Sequence, residues 1–81
     1  MDDKIKNIIT ALEELSIDNT VPRNIKARVD EVIQTLKGEG DDMDMKINKA
    51  LADLDDISDD SNIQAFTRTQ IWNIASMLEM M

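Results

Sequence analysis

An 81-residue chain that is 42% hydrophobic and 32% charged, with a net charge of −8 and neither histidine nor cysteine, has a narrow choice of chemistry. Its length fits one small domain, which buries only about 60–65% of the surface its unfolded chain exposes. The missing residues exclude the commonest general base, thiolate nucleophiles, disulfide staples and the usual zinc ligands.

The charge is uneven. Residues 1–18 carry a net −3, residues 38–60 a net −7 and residues 61–81 none, whereas residues 19–37 carry +2 from Arg23, Lys26, Arg28 and Lys37 against two acids. A chain this acidic repels a phosphate backbone, so nucleic acid is a disfavoured partner. The polar start, residues 1–7, has no apolar run suited to a signal peptide or a membrane span, and a soluble cytoplasmic protein is expected. The apolar fraction and its clean periodicity argue against disorder.

The first apolar stripe is Ile5, Ile8, Ile9, Leu12 and Leu15, whose steps of three and four predict a helix over residues 3–16. Asp2 and Asp3 stand at its start, where carboxylates suit the helix dipole. Pro22 fits the first turn of a second helix, over 22–37, with the stripe Ile25, Val29, Val32, Ile33 and Leu36. Gly38 is expected to close it as a left-handed cap. A third helix opens with Asp41, Asp42 and Asp44, and carries Ile47, Ala50, Leu51, Leu54 and Ile57. The run Ser58–Asn62, rich in cap and turn formers, closes it. The fourth carries Ile71, Ile74, Ala75 and Leu78 to the C-terminus. No segment alternates as a strand does.

Laid 42 residues apart, the two halves match: Lys4 with Lys46, Ile5 with Ile47, Leu12 with Leu54, Ser16 with Ser58, Asp18 with Asp60, Val21 with Ile63, Val29 with Ile71 and Leu36 with Leu78. Two amphipathic hairpins share a stripe in any case. They need not share Ser-x-Asp-x-x-Val/Ile in both turns. The expectation is one all-α domain over 1–81, an antiparallel up-and-down four-helix bundle built from two similar helical hairpins, with an internal repeat of 1–39 and 43–81.

Three groups of residues are candidates for chemistry or binding. Asp41, Asp42 and Asp44 fail the calcium-loop pattern, which needs glycine at its sixth position and glutamate at its twelfth. Asp55 with Asp59, and Asp56 with Asp60, have a four-residue spacing but read as a solvated face and caps. No metal, cofactor or catalytic residue is assigned, and the protein is expected not to be an enzyme. Glu14 and Asp18 against Arg23 and Lys26, and Asp56 and Asp60 against Arg68, are expected to form two ion-pair corners that set the turns. Each such pair contributes at most about 1 kcal/mol. Finally, Phe66 and Trp72 each fall about 120° from the centre of the fourth stripe, with Met77 and Met80 near Phe66. Helix 4 thus carries apolar surface beyond what its own stripe needs, suited either to packing on helices 1 and 3 or to a protein contact.

The runs Asp18-x-x-Val21-Pro22-x-Asn24-Ile25, Leu54-Asp55-x-Ile57-Ser58-x-Asp60 and Arg68-Thr69-x-Ile71-Trp72 resemble the pattern of an uncharacterised family of small archaeal proteins. Where that family commonly has a proline after the second turn, this chain has Gln64, which fixes the start of helix 4 less sharply. The resemblance implies a small helical bundle and brings no activity. The residues point to a non-enzymatic protein-interaction or structural module with an unknown protein partner, self-associating through helix 4 as a homodimer. The interaction surface is placed at Arg23, Asn24, Lys26, Arg68, Thr69 and Trp72, flanking a groove between helices 2 and 4. The alternative is a nucleic-acid- or ribosome-associated factor using the basic start of helix 2.

Overall fold

The computed structural model describes residues 3–38, 40 and 42–81. Four helices follow one another: α1 (Asp3–Ser16), α2 (Arg23–Lys37), α3 (Met43–Ser58) and α4 (Ala65–Glu79). Short turns make successive helices antiparallel. Contacts run α1 to α2, α2 to α3, α3 to α4 and α4 back to α1, so α2 and α4 stand on one diagonal and α1 and α3 on the other. The result is an up-and-down four-helix bundle, 33 Å long and about 20 Å across.

The stripes converge as their spacing requires. Ile5, Ile8, Leu12, Ile25, Val29, Val32, Leu36, Ala50, Leu54, Ile57, Ile71 and Leu78 are all buried, while Ile47 and Leu51 are only partly covered at the edge of the core. Val21 and Ile63, from the two turns at one end, plug the same core. Among the described residues, three buried polar side chains, Lys46, Ser58 and Thr67, escape the apolar pattern. Lys46 bonds the carbonyl oxygen of Gly38. Thr67 is 1% exposed, and its hydroxyl has no hydrogen-bond partner.

The turns at that end are built alike, 42 residues apart. Ser16 Oγ donates to Glu13 O and Ser58 Oγ to Asp55 O. The Thr20 amide donates to Asp18 Oδ1 and the Asn62 amide to Asp60 Oδ1, both at 2.8 Å. Pro22 (φ −57°, ψ 148°) and Gln64 (φ −74°, ψ 154°) hold the same extended conformation at the N-caps of α2 and α4. Pro22 therefore stands just outside the helix rather than in its first turn. It still accepts the first helical hydrogen bond, from Lys26 N at 3.0 Å.

The far turn departs from expectation. Gly38 is not left-handed: at φ −58° and ψ 147° it leads the chain out extended. The positive φ, 91°, falls on Gly40. No cap glycine is needed because the Gly38 amide still reaches Gln34 O at 2.9 Å and Lys46 covers its carbonyl. Asp42 is the N-cap of α3, accepting from the Asp44 amide at 3.0 Å. The roles expected of Asp2 and Asp41 lie outside the described residues.

Candidate functional site

Neither expected corner closes as a salt bridge, and only a weak pull of the Lys26 charge on Asp18 remains of the first. Arg68 does tie the second turn, but through carbonyl oxygens: its Nε donates to Ser58 O at 2.8 Å and its Nη2 to Asp60 O at 3.1 Å. These are the outward carbonyls at the acidic end of α3, and a guanidinium fork takes both. The Asp56 carboxylate turns instead to Arg28 on α2, at 2.5 Å. In the first turn, Asp18 Oδ1 accepts the Thr20 hydroxyl at 2.7 Å and the Thr20 amide. The Thr20 hydroxyl, then its amide, and more weakly the Lys26 charge hold the Asp18 carboxyl below its ordinary value of 3.8. Glu13 pairs with Lys37 at 3.9 Å.

The six residues of the expected surface are thereby divided. Arg23 and Asn24 are exposed and Lys26 half-buried, all at the start of α2. Arg68, Thr69 and Trp72 begin α4 at the same end of the bundle but on the opposite corner of the diagonal. No groove joins α2 to α4, because these two helices face each other across the diagonal of the bundle, with α1 and α3 between them. With Arg28 committed to Asp56, the basic strip of α2 is reduced to Arg23 and Lys26 at its start.

The outer face of α4 is the distinctive surface. Phe66 is 65% exposed, Trp72 55% and Met80 81%, and Met77 is also exposed. At 100° per residue, Phe66, Thr69, Asn73, Ser76 and Met80 lie within roughly 40° of one line on the side away from the core. All five are exposed, and none carries a charge. The only charged residues of α4, Arg68 and Glu79, lie on its α3 flank. The signal that would have shown Asn73 and Ser76 to belong with the aromatics is this second stripe, offset from the apolar one.

Each edge of the face borders a shallow depression. Trp72 lines a groove with Leu51, Ala52 and Asp55 of α3 and with Glu79. On the other edge, Met77 and Met80 line a cleft with Lys4, Asn7 and Ile8 of α1. The flanks therefore do lean on α1 and α3, while the tops of the aromatics stay in solvent. Among the described residues, no cluster of three or more acidic side chains is placed to hold a metal ion. No helix among them is long and apolar enough to cross a membrane.

Comparison with other proteins gives a consistent relationship. Residues 1–81 match the model of an uncharacterised protein family, UPF0147. A UPF0147 protein of the archaeon Methanocaldococcus jannaschii is 40% identical over 75 residues, covering 93% of this chain and 81% of that one. One of Methanosarcina mazei is 37% identical over 75 residues, with the same coverage of 93% and 81%. A crystal structure of a protein of unknown function, MMP1188, is 47% identical and superposes with a TM-score of 0.92, covering 98% of this chain and 90% of that one.

Proposed function

The chain belongs to the UPF0147 family, an uncharacterised family, and we propose that it works as a non-enzymatic protein-interaction module of the archaeal cytoplasm, docking and self-associating through the outer face of α4. The observation that supports this reading is an uncharged helix face with Phe66 and Trp72 more than half exposed, on a chain whose net charge is −8. Water solvates such a face poorly. Large exposed aromatics beside small polar residues are what protein contacts are built on. The residue inventory fits a role without catalysis. Histidine and cysteine are absent, and Arg68 and Asp18 are held by their own turns.

Thr69 and Trp72 belong to the main surface, with Arg68 bracing its start. Arg23, Asn24 and Lys26 form a second, basic contact at the same end, suited to acidic side chains of a protein partner. The shared construction of the two turns also favours an origin of the fold by duplication of one hairpin, residues 1–39 and 43–81.

The test is the emission of Trp72, the chain's single tryptophan, across a dilution series. Self-association through α4 shifts the emission to the blue as concentration rises, and Trp72→Ala weakens association without lowering the melting temperature. A solvent-like spectrum at every concentration contradicts the self-association. A Trp72→Ala variant that unfolds as a core variant does contradicts the surface role.

A further inference from the structure

We propose that two copies pair in parallel through α4, about a two-fold axis running along the helices, with Asn73 of each copy facing Asn73 of the other at the centre of the seam. This rests on the reading of α4 as the self-association surface, and adds to it the occupant, the register and the direction.

The seam has coiled-coil spacing. Phe66, Asn73 and Met80 recur every seven residues, with Thr69 and Ser76 at the intervening steps of three, and all five are exposed. The core side chains Thr67, Ile71, Ile74 and Leu78 occupy a separate stripe, so pairing leaves the bundle intact. Threonine and serine between the larger residues let the two helices approach. A lone asparagine in such a seam penalises misregistered pairings, because its amide finds a matching amide in one register.

The two edges of the face fix the direction. The α3 edge presents Trp72, Asp55 and Glu79, with Arg68 at its start turned onto the carbonyls of Ser58 and Asp60, and the α1 edge presents Met77, Met80, Asn7 and Lys4. A two-fold axis along the helices brings the α3 edge of each copy against the α1 edge of the other. Trp72 then meets the partner's Met77, five residues further on, in a sulfur–aromatic contact made twice. The acidic edge with Glu79 faces the edge with the partner's Lys4. Antiparallel pairing would instead set each α3 edge against its own copy, opposing Asp55 to its like and leaving Glu79 beside the partner's Arg68, a guanidinium already held by the carbonyls of Ser58 and Asp60. The net charge of −8 repels a second copy, and the five exposed, uncharged residues along the outer face of α4 give two such chains a seam without like charges at its centre.

The experiment uses the chain's lack of cysteine. Asn73→Cys, Phe66→Cys and Met80→Cys are made separately, all at exposed sites, and their helicity is checked. Each is equilibrated alone, and Phe66→Cys also with Met80→Cys, in a thiol–disulfide buffer that selects stable pairs. Parallel pairing predicts that Asn73→Cys and Phe66→Cys each link to themselves. It predicts at least about tenfold less crossed product, since fourteen residues of helix separate those sites by about 21 Å and a disulfide needs Cα atoms within about 7 Å. Abundant crossed product, with Asn73→Cys still self-linking, overturns the parallel direction and leaves self-association standing. Absence of every link, with a monomeric mass for the unmodified chain, overturns both.

Discussion

α2 and α4 hold equivalent places in the two hairpins, are both fifteen residues long and begin and end 42 residues apart. Their inner faces are interchangeable in kind: Val29 and Ile71, Val32 and Ile74, Leu36 and Leu78 are all buried. Their outer faces are not. Where α2 shows water Asn24, Asp30 and Glu31, α4 shows it Phe66, Trp72 and Asn73, and the half-buried Thr35 of α2 is matched by the exposed Met77. Two helices with the same packing duty and different surfaces separate what the fold requires from what it leaves free. The bundle needs the inner stripe, and the outer face of α4 is open to another use.

The largest expected effect tests the equivalence of the inner faces. Leu36→Ala and Leu78→Ala, each removing a side chain that is 1% exposed, should both cost about 2–5 kcal/mol in chemical denaturation. Their near-equality is the prediction, and a large cost at one site alone would break the comparison. The turns should then differ. Arg68→Met strands the carbonyls of Ser58 and Asp60 and should cost about 1–3 kcal/mol. Lys26→Met, at the aligned position of the first turn, should cost less than about 0.5 kcal/mol. A third change improves the protein. Thr67 stands where α2 has Ile25, and its buried hydroxyl has no partner. Thr67→Val should therefore stabilise the fold by about 1 kcal/mol, read as a higher denaturation midpoint. The smallest effect is a pH dependence. The Asp18 carboxyl is held low in the folded chain, so its contribution is fully present above the ordinary value of 3.8 and lost as pH falls through the folded value. Thr20→Val should move the Asp18 titration upward in carbon-detected NMR, and an unmoved titration would remove the Thr20 hydroxyl as its main cause.

Much of the architecture is legible along the chain because helical spacing is a local property. The four stripes, the two matching turns and the extra apolar surface of helix 4 need no knowledge of what packs on what. The misses are non-local or depend on one torsion. Carbonyls and carboxylates both lie at the helix end before Arg68, and spacing cannot choose between them, whereas the structure gives Arg68 the carbonyls. The Arg28–Asp56 pair joins residues 28 apart and depends on how α2 sits against α3. The groove expected between helices 2 and 4 assumed that they adjoin, whereas a ring of four sets alternate helices on a diagonal. At Gly38 a cap fashioned by Lys46 removes the need for a left-handed residue, and the permissive conformation moves to Gly40. The seven-residue stripe on α4 is present in the sequence, but it separates from the core stripe only once the buried face is known.

The outer face of α4 as a contact surface is tested most directly by the solution mass of the chain across concentrations, beside that of Asn73→Glu, which places a charge at the centre of that face. The account predicts a mass rising from 9.2 kDa toward twice that value for the unmodified chain. The variant should remain a monomer of unchanged helicity over the same range. A chain that stays monomeric throughout, or a variant that associates as well as its parent, would contradict it.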